Sequence, residues 1–154
     1  MDEQFENDCN KLFYFLPGKL KKAISRMSAD VISETSLKEY YFPVLRAIYY
    51  KDGITQKEIT SYLTFDKSRV SVIVHELIEN GFVTDTGQGR TSCLHLTEEG
   101  RQANAVGRMY YRIAYGTFFQ DFTDEELEQS YRFFAKLDKR LDEILAEKED
   151  KTDS

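Results

Sequence analysis

The sequence predicts a mostly α-helical fold with a small β-wing, in the α+β class, and two neighbouring segments are the basis for this. From residue 54 to residue 80 the pattern is typical of two short helices joined by a tight turn. From residue 82 to residue 96, two short runs of strand-forming residues flank a glycine-rich turn, as in a β-hairpin. Two such helices followed by such a ribbon predict a winged helix-turn-helix.

Capping residues locate the ends of the two short helices. In the run from Thr55 to Glu58, the threonine hydroxyl and the glutamate carboxylate can each accept a backbone N–H that the helix start leaves unpaired. Asp66 is a suitable N-cap for the second helix, which we expect to run to Asn80. Gly81 comes next, and glycine readily adopts the left-handed conformation that commonly ends a helix.

The second helix has two different faces. An apolar stripe at helical spacing is predicted to face the core: Val70, Ile73, Val74, Leu77 and Ile78. Another set recurs at the same spacing on the opposite face: Ser68, Ser71, Val72 and His75. Lys67 and Arg69 lie in the first turn, the end at which a recognition helix contacts bases and phosphates. The alternative for such a charge pair is an ordinary solvated surface.

The ribbon that follows is the predicted wing. Residues 82–85 and 91–96 are expected to pair as strands, joined by a turn whose glycines, Gly87 and Gly89, accept positive φ. Arg90 lies beside the tip, where an arginine side chain can enter a minor groove. The predicted DNA-binding residues are Lys57, Lys67, Ser68, Arg69, Ser71, Val72, His75 and Arg90.

From Leu37 to Arg101 the chain resembles the MarR family of bacterial winged-helix regulators. The resemblance rests on these stretches, in the family's order and spacing: Val44-Leu45, Thr55-Gln56-Lys57-Glu58-Ile59, Asp66-Lys67-Ser68-Arg69-Val70-Ser71, Leu77-Ile78-Glu79-Asn80-Gly81-Phe82-Val83 and Leu94-His95-Leu96-Thr97-Glu98-Glu99-Gly100-Arg101. It implies an obligate homodimer on a pseudo-palindromic operator of double-stranded DNA. The helix after Asp66 would enter the major groove and the wing the minor groove.

Two positions depart from the family pattern. Gln88 stands where the family's wing usually has an aspartate that orients the arginine two residues later. Val72 stands where relatives often have arginine or another polar residue. A valine suits contact with a thymine methyl group rather than a hydrogen bond to a base, so the base preference at this position is expected to differ.

Helical segments on both sides of the winged region are predicted to be dimerisation helices. We place the winged domain at residues 36–97, the helical dimerisation region at 1–35 and 98–146, and a disordered tail at 147–154. Apolar residues of the last helix alternate in steps of three and four, as in a seam between helices: Leu127, Tyr131, Phe134, Leu137, Leu141 and Ile144. A bundle within one chain is the alternative. In the N-terminal segment, Pro17 and Gly18 are expected to interrupt the helix.

Aromatic residues are dense in the flanking helices. The family resemblance implies a cleft between the dimerisation helices and the winged domain, where a small aromatic or phenolic effector binds. Tyrosine gives such a cleft an apolar wall and a hydroxyl group. The candidate ligand-binding residues are Tyr14, Tyr40, Tyr41 and Tyr110. Packing in the core or in the dimer interface is the alternative for each of them.

The overall charge limits the classes of partner. A net charge of −6 over 154 residues argues against a protein that coats nucleic acid without specificity, so DNA binding must come from a local basic patch. No apolar run approaches the ~18 residues of a membrane-spanning helix, and the acidic N-terminus lacks the features of a signal peptide. We therefore expect a cytoplasmic protein without a membrane partner.

The sequence contains no recognisable catalytic arrangement, so we predict that the protein is not an enzyme and has no cofactor or metal. His75 and His95 lack the spacing of a metalloprotease motif. Cys93 and His95 share one face of a predicted strand and supply at most two metal ligands. Cys9 and Cys93 lack the spacing of a metal-binding or redox cysteine pair and are expected to be free thiols.

The predicted function is that of a ligand-responsive DNA-binding transcriptional regulator. It would be a repressor whose dimer releases its operator when an effector changes the spacing of the recognition helices. One alternative is a winged-helix dimer acting as a protein–protein interaction module, in keeping with the acidic charge and Val72. Another is a thiol-based redox-sensing regulator through Cys9. The family's peroxide-sensing branch has its reactive thiol in the first helix near tyrosines, and Cys9 precedes Phe13 and Tyr14 but lies several residues earlier than that thiol. Glu6 and Asp8 disfavour a thiolate there.

Overall fold

The computed structural model of the protein describes residues 2–33, 35, 37–88 and 91–149. Its elements in chain order are α1 (Glu3–Ser33), α2 (Tyr41–Tyr50), α3 (Gln56–Tyr62), α4 (Lys67–Glu79), β1 (Val83–Asp85), β2 (Leu94–Leu96), α5 (Glu98–Phe118) and α6 (Asp124–Glu149). This order confirms the predicted mostly helical fold with a small β-wing. The chain divides into two compact units, residues 1–115 and 116–154.

The core of the first unit lies among α2, α3, α4 and the two strands. Its fully buried side chains are Tyr41, Val44, Leu45, Ile48, Ile54, Ile59, Val70, Ile73, Val74, Leu77, Val83 and Leu94. Four of the five predicted stripe residues of α4 are among them, but Ile78 is exposed. At about 100° per residue, Ile78 lies about 80° around the helix from Val70, at the margin of the arc that faces the core.

The predicted caps of α3 and α4 are confirmed. The Thr55 hydroxyl accepts the backbone N–H of Glu58 at 3.2 Å, and the Glu58 carboxylate accepts that of Thr55 at 2.9 Å. At the start of α4, the Asp66 carboxylate accepts the N–H of Arg69 at 2.8 Å. Gly81 follows α4 with φ +76°, which allows the chain to turn directly into β1.

The wing is an antiparallel pair in which Val83 lies opposite Leu96 and Asp85 opposite Leu94. Its strands are shorter than the predicted 82–85 and 91–96 because the Asp85 carboxylate takes over part of the hydrogen bonding. One of its oxygens accepts the backbone N–H groups of Gly87 and Cys93, both at 2.8 Å. This side-chain pairing turns the backbone away from the regular ladder.

Glycine lets α5 approach the rest of the winged domain. The Thr97 hydroxyl caps the helix by accepting the N–H of Gly100 at 2.9 Å. A Cβ atom at Gly100 would lie 1.9 Å from the Phe82 carbonyl oxygen, and one at Gly107 would lie 2.4 Å from the Phe42 ring. Neither contact is sterically possible, so both positions need glycine for this packing.

The N-terminal helix differs from the prediction because α1 continues through Pro17. Proline removes one intrahelical hydrogen bond at a cost of about 3 kcal/mol, which a long helix can offset over its other turns. Further along α1, the carbonyl oxygen of Ile24 accepts the hydroxyl hydrogen of Tyr110 from α5. None of the helices within the described ranges is long and apolar enough to cross a membrane.

The second unit contains α6, which begins with a capping box. The Thr123 hydroxyl accepts the N–H of Glu126 at 3.3 Å, and the Glu126 carboxylate accepts that of Thr123 at 2.8 Å. The helix continues to Glu149, further than the predicted boundary at residue 146. The remainder of the predicted disordered tail, residues 150–154, lies outside the described residues. Several members of the predicted seam are exposed, including Tyr131, Phe134, Leu141 and Ile144.

Candidate nucleic-acid interface

The structure gathers the predicted α4 residues on one exposed face. Ser68, Ser71, Val72 and His75 project within one arc of the helix, with Lys67 at one side of it and Arg69 at the other. All six are exposed, and Val72 is 52% exposed, opposite the buried stripe. Lys57 is exposed on α3. Arg90 lies outside the described residues.

Arg69 is in contact with an aromatic ring from another element. Its guanidinium carbon lies 4.6 Å from the ring centroid of Tyr40, which immediately precedes α2. At this distance the cation is attracted to the face of the ring. The contact gives the flexible arginine side chain a preferred direction at the edge of the exposed α4 face.

Glu76, one turn after Val72, connects α4 to the residues at the start of α2. One carboxylate oxygen of Glu76 accepts hydrogen bonds from the Lys38 ammonium, the Tyr40 hydroxyl and the Tyr41 hydroxyl, each at 2.9 Å. We call Lys38, Tyr40, Tyr41, Glu76 and Arg69 the tyrosine–glutamate cluster. It joins a candidate ligand-binding tyrosine to a candidate DNA-binding arginine.

The hydrogen bonds of this cluster stabilise the charged forms of Glu76 and Lys38. The Lys38 ammonium, followed by the Tyr40 and Tyr41 hydroxyls, lowers the pKa of Glu76 to about 2. Hydrogen bonds to Tyr40 and Glu76 raise the pKa of Lys38. Burial, followed by the hydrogen bond to Glu76, raises the pKa of Tyr41. At neutral pH the cluster therefore contains an ionised Glu76 carboxylate, a Lys38 ammonium and a protonated Tyr41 phenol.

The other candidate ligand-binding tyrosines lie elsewhere in the first unit. Tyr14 is 85% exposed on α1, with its ring 6.1 Å from that of Phe15. Tyr110 is buried where α5 contacts α1 at Ile24, about 15 Å along α1 from Tyr14 at 1.5 Å per residue. The structure therefore brings Tyr40 and Tyr41 together but separates Tyr14 from the buried Tyr110.

A row of aromatic rings extends from Tyr110 along α5. The Tyr110 and Tyr111 centroids are 5.5 Å apart, and those of Tyr111 and Tyr115 are 6.1 Å apart in a stacked arrangement. Burial, followed by the nearby Tyr115, raises the pKa of Tyr111. Glu39, before α2, accepts a hydrogen bond from Ser25 of α1 at 3.0 Å. Tyrosine hydroxyl groups and aromatic rings therefore lie near the place where α1 contacts the residues that precede α2.

The root of the wing is attached directly to the helix-turn-helix. The Ser92 hydroxyl accepts the first backbone N–H of α3, at Gln56, at 2.8 Å. The loop before α3 pairs with β2 through the N–H of Leu94, which donates to the Ile54 carbonyl at 3.1 Å. These two hydrogen bonds attach the wing to the start of α3 and to the loop before it.

His75, another predicted DNA-binding residue, has an acidic neighbour on its own helix. His75 lies 3.3 Å from the Glu79 carboxylate, with both side chains exposed. Within the described part of the chain, no group of three or more His, Cys, Asp or Glu side chains is arranged to hold a metal ion. Sequence reasoning missed Glu76 and Lys38, because their roles depend on the packing of α2 against α4 and leave no local pattern.

The winged region of the chain matches a protein-family model. The model described as MarR family matches residues 37–91. The match covers the winged region and supports a MarR-family winged-helix fold for it. Among curated proteins, a sequence comparison finds no match.

Solved structures are similar over most of the chain. A MarR-family transcriptional regulator from Rhodococcus sp. RHA1 is 22% identical, with 88% of this chain and 96% of that one covered and a TM-score of 0.73. A MarR regulator from Methanosarcina mazei Go1 is 20% identical, with 94% of each chain covered and a TM-score of 0.74. CouR from Rhodococcus jostii RHA1, solved bound to p-coumaroyl-CoA, is 22% identical. The alignment covers 88% of this chain and 95% of CouR, with a TM-score of 0.70. At these identities the similarity establishes the fold.

Proposed function

We propose that the protein is a ligand-responsive transcriptional repressor that binds a pseudo-palindromic DNA operator as a homodimer. The observation that carries the proposal is the exposed face of α4, where Ser68, Ser71 and Val72 lie between Lys67 and Arg69. A helix that is buried along one side and offers short polar groups between cations on the other is suited to a major groove. The match of residues 37–91 to the MarR family model supports the same function.

The residues of the α4 face divide by chemistry. Lys67, together with Lys57 on α3, would contact phosphates, which sets affinity and makes it dependent on salt. Ser68 and Ser71 can donate to or accept from base edges, and Val72 can contact a thymine methyl group. Arg69 would read a guanine or contact a phosphate from the direction that Tyr40 gives it. Arg90 is proposed to add affinity from the wing tip.

A second copy of the chain is the proposed occupant of the exposed apolar surfaces. On α6, Tyr131 is 72% exposed and Phe134 is 56% exposed. On α1, Phe5, Leu12 and Phe13 are each more than half exposed. Burying such side chains stabilises an association by about 1.5–3 kcal/mol for each that becomes fully buried. A dimer would also present two α4 helices to one side of a duplex.

The tyrosine–glutamate cluster is the proposed route from effector to DNA. Tyr40 donates to Glu76 and packs beneath Arg69, so a ligand that bonds to its hydroxyl or moves its ring changes the position of both α4 residues. A small aromatic or phenolic effector suits these groups, since it can stack on tyrosine and accept a hydroxyl hydrogen bond. The binding of p-coumaroyl-CoA by CouR supports effector chemistry of this kind.

Selection of bound duplexes from a random DNA library tests the proposal. We expect enrichment of a sequence with two inverted half-sites whose centres are about one helical turn apart. Arg69→Ala should bind the selected duplex more weakly, whereas Lys139→Ala, which removes an exposed cation from α6, should bind it like the wild type. Recovery of no common sequence, together with no retention on random duplex at low salt, would contradict DNA binding.

The same experiment separates the second candidate function. A winged-helix dimer that binds a protein is favoured by one observation, the exposure of the apolar Val72 on the α4 face. Such a module would show no selected DNA sequence. A loss of protein binding on Val72→Asp but not on Lys139→Ala would then support it.

A further inference from the structure

Three side chains at the root of the wing lie in a row that resembles a nucleophile with its base. The Cys93 sulphur lies 3.4 Å from Nε2 of His95, and Nδ1 of the same ring lies 3.0 Å from a carboxylate oxygen of Asp52. Cys93 and His95 are contributed by the wing, whereas Asp52 lies in the loop between α2 and α3. In such an arrangement the thiol is the nucleophile, the imidazole is its base, and the carboxylate orients the imidazole.

We propose that Cys93 is a reactive thiol that hydroperoxides oxidise, with His95 as its base and Asp52 as the residue that positions the imidazole. The chemical part of this inference is independent of DNA binding. Its regulatory part, that oxidation changes the wing, rests on the proposed function.

The hydrogen bonds determine which imidazole nitrogen faces the sulphur. A carboxylate only accepts hydrogen bonds, so Asp52 is paired with an N–H at Nδ1 of His95. Nε2 is then free to accept a proton from the Cys93 thiol. The Thr86 hydroxyl also lies 3.0 Å from Nε2 and can donate to it. Nε2 is therefore the acceptor shared by a hydroxyl and a thiol.

The oxidation balances with a hydroperoxide, R–O–O–H, as the co-reactant. The thiol proton moves to Nε2, and the thiolate attacks the terminal oxygen of the peroxide. An S–O bond forms as the O–O bond breaks, so the sulphur gives up two electrons and the peroxide takes them. The proton on Nε2 passes to the departing alkoxide. The products are the sulfenic acid of Cys93 and an alcohol.

The surroundings of the thiol leave room for a small oxidant. Cys93 is half-buried, and the side chains of His95 and Asp52 are 31% and 77% exposed. Gly53 lies beside the sulphur, and a Cβ atom there would approach it to 3.5 Å. The absence of a side chain at Gly53 therefore keeps one side of the sulphur open. The nearby Asp85 carboxylate bonds to the backbone N–H of Cys93.

The position of the thiol connects its oxidation to the wing. Beside the row, the Gly53 N–H donates to the Leu94 carbonyl at 2.9 Å, and the Leu94 N–H donates to the Ile54 carbonyl at 3.1 Å. An oxygen added to the sulphur would enter the space between Gly53 and His95 and compete for Nε2. The wing would then change its attachment to the loop that precedes α3.

Trapping of sulfenic acid with dimedone, followed by peptide mass spectrometry, tests the chemical part on the intact protein. With cumene hydroperoxide as the probe, we expect Cys93 to be labelled at least roughly tenfold faster than Cys9, the matched comparison in the same chain. His95→Gln and Asp52→Asn should slow the labelling of Cys93 and leave that of Cys9 unchanged. Asp52→Glu, which keeps a carboxylate, should restore part of the rate.

Thr86→Val is the control for a structural effect, because it removes a neighbour of Nε2 and keeps the row from Cys93 to Asp52. It should label Cys93 at least as fast as the wild type. Equal labelling of Cys93 and Cys9, or equal slowing by Thr86→Val and His95→Gln, would overturn the proposal.

Binding to a random-sequence duplex at low salt, measured on the same samples before and after oxidation, tests the regulatory part. We expect oxidation to weaken binding by the wild type and to have no effect on Cys93→Ser. Labelled Cys93 with unchanged DNA binding would overturn the regulatory part alone. If the untreated protein does not bind DNA, the proposed function fails while the labelling result stands.

Discussion

The helices α4 and α6 are both amphipathic, but their apolar stripes have different surroundings. In α4, Val70, Ile73, Val74 and Leu77 are completely buried. In α6, Leu141 is 47% exposed and Tyr131 is 72% exposed. The position of α4 is therefore set by the core of its own chain, which leaves its other face for a partner. The stripe of α6 is itself the surface that we propose a second copy covers.

Leu141→Asp should have the largest effect, because it places a charge in the stripe on which we propose the dimer depends. Burying an unpaired carboxylate costs several kcal/mol, and a symmetric dimer contains the substitution twice. Sedimentation should show a monomer at concentrations where the wild type is a dimer. Gln129→Asp adds the same charge off the stripe and should remain a dimer. If Leu141→Asp also remains a dimer, the seam is assigned wrongly.

Ile73→Ala tests the opposite situation in α4. It removes buried methyl and methylene groups, so the free energy of unfolding should fall by about 2–5 kcal/mol. Val72→Ala, on the exposed face of the same helix, should change it by no more than about 0.5 kcal/mol. Urea denaturation measures both variants. Equal losses would mean that the two faces of α4 do not differ in burial.

Arg69→Ala sharpens the comparison by testing the exposed face of α4 for a base contact. If Arg69 reads a base, the substitution should cost about 1–3 kcal/mol of binding and relax the preference at one position in each half-site. A phosphate contact would instead weaken all sequences equally. Competition binding with single-position variants of the selected duplex distinguishes these results. Unchanged binding to every duplex would exclude Arg69 from the interface.

Glu76→Gln should have the smallest effect. It tests the charged hydrogen bonds that Glu76 makes at the boundary between the buried and exposed faces of α4. The pKa of Glu76 in the folded protein is about 2, below its usual 4.5. Its charged interactions therefore stabilise the fold above pH 4.5, and this contribution is lost as the pH falls towards 2. Over that interval, the stability of Glu76→Gln should fall less steeply with acid than that of the wild type. Parallel acid denaturation curves would contradict the assignment of the cluster.

Local sequence patterns predicted α4 well because they determine its ends and its faces. The caps at Asp66 and Gly81 depend on residues within one turn, and the buried stripe depends on spacing alone. Ile78 was assigned wrongly because a pattern does not give the width of the buried arc. The predicted break at Pro17 is wrong because α1 continues through this residue. The other turns of a long helix offset the hydrogen bond that proline removes.

The two side-chain clusters could be predicted only in part. Cys93 and His95 share a strand face, which their spacing shows, but Asp52 precedes His95 by 43 residues and joins them through the packing of a loop on β2. Likewise, Tyr40 was a candidate from its residue type, whereas its partner Glu76 comes from a different helix. Contacts of this kind depend on tertiary structure and leave no periodic signal.

The stoichiometry of the complex with the selected duplex tests the central claim most directly, because it requires both the exposed face of α4 and the proposed seam of α6. Sedimentation of a duplex with two half-sites should show two chains bound to each DNA. A duplex with one half-site scrambled should bind much more weakly, and Leu141→Asp should bind the intact duplex weakly. A single chain bound per duplex, or equal binding to the intact and scrambled duplexes, would contradict the account.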